Sequence, residues 1–465
     1  MKTLFFLTVT YSLYMMMTSC GRIDPSGAPS SSDTGNAVLH FITLDPGHFH
    51  AALVQKTMYP AVDPVVHVYA PGGQELDQHM AIIGSYNTRA ENPTHWTSQV
   101  YTGSDYLERM LREKAGNVVV ISGNNRMKAD YILASIQGGF NVLADKPMAI
   151  DSHGFGKLRK AFEMAGQKNL LLYDIMTERF EITTMLQREL SLIPEIFGTL
   201  VKGTPDEPAV TKESVHHFYK YVSGKVLTRP AWFMDVLQQG EGIVDVTTHL
   251  VDLIQWECFP GQIIDYTRDI QVESARHWAT AMTLREFSAI TGYDEFPSFL
   301  RKDLVNDTTL QVFCNGEIRY RLRGVHARVS VAWAYSAPAG GGDMHYSILR
   351  GTKANLIIRQ GKEQQYKPAL FIEPVRSGSS YERILRKRFA LLQSTYPGIE
   401  LRESDRGWEV IIPREYREDH EAHFSRVTAN FVEYLRKGNM PAWEVPNMIA
   451  KYYTTTTALE LASGL

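Results

Sequence analysis

Three ionisable side chains stand where they could handle a carbon–oxygen bond. Lys146 follows the expected strand Asn141–Ala144, in the run Asp145-Lys146-Pro147. A lysine at the carboxyl end of a buried parallel strand points into the crevice where open α/β sheets bind ligands. Its ammonium can hydrogen-bond a substrate oxygen and stabilise negative charge developing there. Further on, Asp245 and His249 lie four residues apart in Gly240–His249, and share one face if Gly242 opens a helix. A carboxylate and an imidazole held together can bind and deprotonate a hydroxyl, with histidine the natural base near neutral pH.

Between these two parts lie polar and aromatic residues of the kind that hold sugars: Tyr173, Arg179, His216, His217, Tyr219, Arg229 and Trp232. Trp232, ahead of the glycine-led segment, is expected to stack on a pyranose face. His48-Phe49-His50 after the first strand has the form of a metal-ligand pattern in amidohydrolase barrels. Such a barrel needs a βα pattern throughout, which the later strands do not supply. The expectation is therefore no metal, with one histidine facing the crevice and the other packed.

The elements that must position these groups divide the chain in two. Strands at Ala37–Leu44, Val65–Tyr69, Val118–Ser122, Asn141–Ala144 and Asn169–Asp174 alternate with helices at 49–57, 106–113, 128–137 and 152–166. Val118–Ser122 shows no polar alternation, as expected when both faces of a strand are covered. Strand–helix alternation implies βαβ units and a parallel sheet. After about residue 178 the pattern becomes short successive strands, 309–313, 317–322, 327–334, 345–350 and 354–359. Turn signals such as Cys314-Asn315-Gly316 separate them, and an antiparallel sheet is predicted. Helices are expected at Gly242–Trp256, 423–436 and 446–462. Between 362 and 418 only a helix at Tyr381–Leu392 and hairpin-like pieces stand out. The fold class is thus α/β, with a parallel-sheet domain over 37–177 and an α+β domain with an open, largely antiparallel sheet over 178–465.

The motifs together resemble the Gfo/Idh/MocA oxidoreductases, named for glucose–fructose oxidoreductase and inositol dehydrogenase. The resemblance rests on Lys146-Pro147, on Asp245 and His249, on Val119–Asn124 and on the turn Gly351-Thr352-Lys353. It implies a Rossmann-like dinucleotide-binding domain and a catalytic trio of Lys146, Asp245 and His249, with Asp245 orienting His249 or the sugar. It also implies NAD or NADP held near Gly47, His48, Phe49, Ser122, Asn124 and Lys146. A carbohydrate substrate, contacted by Tyr173, Arg179, His217, Tyr219 and Trp232, and a homo-oligomer paired through the C-terminal sheet follow from the same resemblance. The chain departs from the family in the first turn. Where G-x-G-x-x-G is usual it has Asp45-Pro46-Gly47-His48-Phe49-His50, keeping only the middle glycine. Asp45 puts a carboxylate beside the expected diphosphate. The second strand ends Tyr69-Ala70-Pro71 without an acid for the ribose, leaving Glu75 and Asp77, in an expected loop, as substitutes. Met127 replaces the family's histidine. The leading expectation is oxidation or reduction of a sugar hydroxyl with a tightly held nicotinamide. Redox-neutral glycoside cleavage and a cofactor-free carbohydrate-binding protein are the alternatives.

Composition narrows the setting. The chain has 465 residues, 44% of them hydrophobic, and a formal net charge of −3, so it lacks the basic excess of a nucleic-acid binder. Lys2 precedes an apolar run from Leu4 to Met17, then Met17-Thr18-Ser19-Cys20-Gly21. This is the pattern of an export signal over 1–19 with Cys20 as a bacterial lipidation site, and Gly21–Asn36 reads as a tether. An exported lipoprotein, touching the membrane only through its lipid, is expected on the periplasmic or cell-surface side. Cys258 and Cys314 sit among apolar neighbours and are expected to pack rather than react.

Overall fold

The computed structural model describes residues 39–222, 225–338 and 341–464. The expected export signal, Cys20 and the tether lie outside the described residues.

The first sheet is built from β1 (Phe41–Leu44), β2 (Val65–Ala70), β3 (Thr97–Thr102), β4 (Val118–Ile121), β5 (Asn141–Asp145) and β6 (Leu172–Ile175). All pairings are parallel, in the order β3-β2-β1-β4-β5-β6. This is the doubly wound order of dinucleotide-binding folds, whose strand order reverses beside β1. β1 and β4 are buried along their whole length, which explains the unbroken apolar run of β4 and the lack of polar alternation in β1 apart from Thr43. Each buried Val or Ile there contributes about 1.5–3 kcal/mol. The intervening helices are α1 (His50–Leu53), α2 (Gln74–Thr88), α3 (Tyr106–Glu113), α4 (Lys128–Gly138) and α5 (Ser152–Lys168), followed by α6 (Ile182–Ser191). Asp151 caps α5 by accepting from the Gly154 amide at 2.6 Å.

Two expectations about this half change. The helix expected over 49–57 shrinks to the four residues of α1. Glu75 and Asp77 stand in the first turn of α2, not in a loop. Neither α2 nor the exposed β3 carries an apolar stripe strong enough to read from sequence.

The second half begins with β7 (Val210–Tyr219) and a small hairpin, β8 (Tyr221–Val222) and β9 (Lys225–Val226). It continues through α7 (Val236–Gln239), α8 (Thr247–Cys258), α9 (Tyr266–Asp269), β10 (Ile270–Thr283), α10 (Leu284–Thr291), β11 (Leu304–Val305) and β12 (Thr309–Leu322). Then come β13 (Val325–Ser336), β14 (Met344–Arg350), β15 (Ala354–Gln360), β16 (Ala369–Pro374), α11 (Ser379–Thr395), β17 (Glu400–Ser404) and β18 (Gly407–Ile411). The chain closes with α12 (His420–Lys437) and α13 (Glu444–Ser463). The large sheet runs β10-β12-β13-β7-β14-β15-β16-β18-β17, with β11 on β12. Only β13 and β7 pair in parallel. Cys314-Asn315-Gly316 is not a turn but the middle of the continuous strand β12.

Gly316 and Gly242 serve close approach instead. A Cβ on Gly242 would lie 1.8 Å from the Cys314 carbonyl oxygen, and one on Gly316 would lie 2.6 Å from the Ile243 Cβ. The chain crosses β12 at van der Waals distance there, and only glycine permits it. Gly242 therefore does not open a helix. Residues 241–246 form tight turns, with Val244 and Asp245 amides donating to the Glu241 carbonyl at 2.9 and 3.0 Å. Helix α8 starts at Thr247.

Residues Phe424, Val427 and Phe431 of α12 and Met448 and Tyr452 of α13 join the core of the parallel sheet. Ala450 and Ala458 of α13 join the core beneath the large sheet, beside Leu250 and Ile254 of α8. The C-terminus thus returns to the first sheet. No helix among the described residues is long and apolar enough to cross a membrane. Cys258 and Cys314 are free thiols, partly and fully buried.

Candidate active site

Strand β5 ends at Asp145, and the chain then turns through Lys146. The Lys146 ammonium donates to Asp245 Oδ1 at 2.7 Å. The other oxygen, Oδ2, accepts from Gln239 Nε2 at 3.0 Å. Burial would lower the Lys146 pKa, but Asp245 and Asp145 outweigh it and hold the group above its ordinary value. Lys146 is thus a fixed cation at the carboxyl edge of the sheet.

Asp245 does not orient His249. It precedes α8 whereas His249 lies in its first turn, and the aspartate is committed to Lys146 and Gln239. The His249 Nδ1 is buried without a hydrogen-bond partner. Burial first, then the charges of Lys146 and His420, keeps its imidazole well below the usual range. It is a neutral base beside a fixed cation.

Several further groups belong to this crevice. Glu178 is pushed up to about 7 by burial and by Glu181, against the pull of Lys146. His420, at the start of α12, has its ring 5.6 Å from that of His50 and is pushed down to about 3, mainly by burial. Neither carries a motif in the sequence; the return of α12 to the sheet brings His420 in. Asp145 accepts from His50 Nδ1 at 2.9 Å and from Ser122 Oγ at 3.0 Å. Burial would raise its pKa, but His50, Lys128 and His48 hold it far below the carboxylate range. Lys128, fully buried, donates to the Asp145 backbone oxygen at 3.1 Å and is lowered to about 8 by burial.

The residues expected around a sugar distribute differently. Arg179 lies in a buried ion cluster rather than in an open cleft. Its Nε and Nη2 each bond Asp252 at 2.7 Å, and Nη1 bonds Glu444 at 2.9 Å. Tyr173 donates to the same Glu444 at 3.3 Å. Lys451 completes the cluster, at 2.8 Å from Asp252 and 2.7 Å from Asp174. Trp232 is only 8% exposed and packs in an aromatic core with Phe218 and Phe233, not as an open platform. Its Cζ2 would be 3.6 Å from a Cβ on Gly47. His217 is buried, with Nδ1 2.9 Å from Asp343 Oδ1. His216 stacks on Trp333 with ring centroids 5.0 Å apart. Tyr219 lies 5.8 Å from the Tyr335 ring. Arg229 is buried over the Phe233 and Trp333 rings and pushed down to about 10 by burial.

The first turn does not fit the diphosphate of a dinucleotide. Such a turn offers backbone amides to the phosphates. Here the Gly47 and His48 amides point at the Ser122 carbonyl at 3.3 and 3.4 Å, and the His50 amide donates to His48 Nδ1 at 3.3 Å. Asp45, at φ +46°, accepts from the Tyr131 hydroxyl at 2.8 Å, and burial raises its pKa. Asn124 is engaged by Gln238 at 2.7 Å. Phe49 packs against the core of the sheet. The donors are spent within the protein, and a carboxylate stands among them.

Comparison with known proteins agrees with the architecture. Residues 186–463 match the family described as "Putative oxidoreductase C terminal domain". A crystal structure of a "putative oxidoreductase" from Parabacteroides merdae is 57% identical, covers 92% of this chain and 98% of its own, and superposes with a TM-score of 0.90. Two more distant structures share the fold. A 3-ketoreductase from Actinomadura kijaniata in complex with NADP and TDP-benzene is 12% identical, with 92% and 97% of the chains covered and a TM-score of 0.54. GenD2 from gentamicin A biosynthesis, in complex with NAD, is 15% identical, with 94% and 97% covered and a TM-score of 0.54. No curated protein matches the chain.

Proposed function

The chain belongs to the oxidoreductases of the Gfo/Idh/MocA type, and from that premise we propose that it acts on a hydroxyl-bearing carbon of a carbohydrate. The observation that carries this reading is the Lys146–Asp245 pair at the carboxyl edge of the parallel sheet, with the buried His249 imidazole, its Nδ1 without a hydrogen-bond partner, within electrostatic reach. Lys146 hydrogen-bonds the substrate oxygen and stabilises it as an alkoxide or polarised carbonyl. Asp245 fixes the ammonium in place. His249 accepts the hydroxyl proton. Oxidation of a carbinol takes the hydroxyl proton to His249 and needs a hydride acceptor besides, whereas with the corresponding ketone His249 would take a proton from the carbon beside the carbonyl while Lys146 holds the enolate oxygen.

The NAD and NADP complexes among the fold relatives support a nicotinamide cofactor for this fold, and it would supply a hydride acceptor. The first turn of this chain departs from that pattern, so the proposed chemistry rests on Lys146, Asp245 and His249. Export as a lipoprotein anchored through Cys20, and pairing through the open face of the large sheet, belong to the same proposal.

The test is incubation with hexopyranosides and their keto counterparts in D2O, followed by mass spectrometry. Deuterium uptake at a carbon beside the carbonyl, lost in the Lys146→Met protein, is the expected result. Denaturing the same preparation and assaying released NAD(H) separates a dehydrogenase from redox-neutral chemistry. Saturable sugar binding with neither exchange nor turnover would replace this reading with a carbohydrate-binding protein.

A further inference from the structure

At the carboxyl edge of β1 and β5, two histidines converge on one buried carboxylate. His48, His50 and Asp145 each present a ligand atom, and these atoms lie within 4.8 Å of one another. His50 Nδ1 is 2.9 Å from Asp145 Oδ2, and His48 Nδ1 is 4.0 Å from the same oxygen. The shorter edge is that of two adjacent ligands about 2.1 Å from an octahedral ion, and closing the longer one takes a shift of His48 that releases its Nδ1 from the His50 amide.

The surroundings treat the carboxylate as a ligand would be treated. Ser122 donates to Oδ2. Such an outer bond orients a metal-binding carboxylate. Oδ1 is buried with no hydrogen-bond partner, in a residue only 4% exposed. A carboxylate so desolvated is costly unless a cation or donor meets it. A simple His50–Asp145 pair leaves Oδ1 unexplained. The His50 ring is wedged by Phe424 at 4.5 Å and the His48 ring by Phe49 at 4.6 Å, so both imidazoles are held in place. Of the neighbouring cations, Lys146 is paired with Asp245, and Lys128, on the Asp145 backbone oxygen, adds its charge to the stabilisation of the carboxylate.

We propose that His48, His50 and Asp145 hold a divalent transition-metal ion. Two imidazoles and one carboxylate suit zinc, iron or cobalt and leave coordination positions for water or substrate. The two histidines occupy the segment of the first turn in which a dinucleotide-binding chain keeps a bare backbone, so the site stands in place of the missing phosphate cradle. An ion there lies beside Lys146 and would act on the same substrate oxygen as a Lewis acid. This goes beyond the proton chemistry above, and the binding itself does not depend on it.

The experiment uses tag-free protein, stripped with a chelator and titrated with Co2+ and Zn2+. Calorimetry and the visible absorption of Co2+ are the readouts. One ion per chain is expected, with a Co2+ spectrum showing nitrogen and oxygen ligands. His48→Gln and His50→Gln should each weaken binding at least about tenfold, and Lys146→Met should retain it. His48 is less buried than His50, so His48→Gln carries the test if the other variant fails to fold. Absence of saturable binding by the folded wild-type chain, or unchanged binding in the folded variants, would overturn the site. Loss of turnover in Lys146→Met with metal binding intact separates this result from the reaction proposed above.

Discussion

Lys146 Nζ and Asp245 Oδ1 meet at 2.7 Å although 99 residues separate them in the chain. One comes from the end of the parallel sheet, the other from the turns that lead into α8. The contact joins the two halves of the protein at the point where a substrate oxygen would be bound.

Removing either partner of the proton chemistry should cut turnover, and because Lys146→Met leaves the buried Asp245 with Gln239 alone, rates are compared on protein shown to be folded. Lys146→Met deletes one charged hydrogen bond to the reacting oxygen, worth about 10²–10³ in kcat. His249→Ala should cost on the order of 10²–10⁴. Both act on one oxygen, so the double variant should be little slower than the slower single one. Because the His249 pKa is held well below 6.5 by burial and by Lys146, the acid limb of the rate profile should fall well below that pH. Steady-state kinetics across pH on the three variants provides the check, and normal turnover in both singles would end the assignment.

Arg179 should matter for stability before it matters for substrate. It satisfies Asp252 and Glu444, both buried. Arg179→Met leaves Glu444 without its cation and Asp252 with Lys451 alone, and breaking one side of a buried ion cluster costs roughly 3–5 kcal/mol. Urea denaturation should show that loss as a lowered midpoint. A variant of parental stability with weakened sugar binding would return Arg179 to the crevice.

Acid should destabilise the fold from near-neutral pH downward, in part through His79. Its imidazole is buried, has no hydrogen-bond partner on either nitrogen, and is pushed from 6.5 down to about 4 by burial. The unfolded chain therefore takes up a proton that the folded chain refuses between those values. The contribution is complete above pH 6.5 and is lost as the pH falls toward 4. His79→Leu should flatten the stability curve in that window by up to about 1.4 kcal/mol per pH unit. An unchanged slope would show that His79 is hydrated in the folded state.

The Cys20→Ala protein, expressed in a bacterium that processes lipoproteins, should no longer partition with membranes. Mass spectrometry of the parent should find diacylglyceryl-cysteine at its N-terminus. A variant that fractionates with membranes as the parent does would remove the lipid anchor from the proposal.

The parallel half is legible in the sequence alone, because buried strands with both faces covered are continuously apolar, as Val118–Ile121 is. The sequence also located Lys146, Asp245 and His249, because a basic group after such a strand and an acid–histidine pair beside glycines are local patterns. The tertiary structure decided how they are used. The Gly242–Gly316 crossing forces turns where a helix was expected, and so pairs Asp245 with Lys146 instead of His249. Strands β7 and β10 and the unbroken β12 are defined by partners far along the chain, which no local periodicity reveals. Arg179 and Trp232 have the chemistry of sugar ligands, yet the return of α12 and α13 to the first sheet surrounds one with carboxylates, and an aromatic cluster buries the other. The same return brings His420 next to His50. Which polar side chains face a ligand and which face each other is a matter of long-range packing, and only the folded chain fixes it.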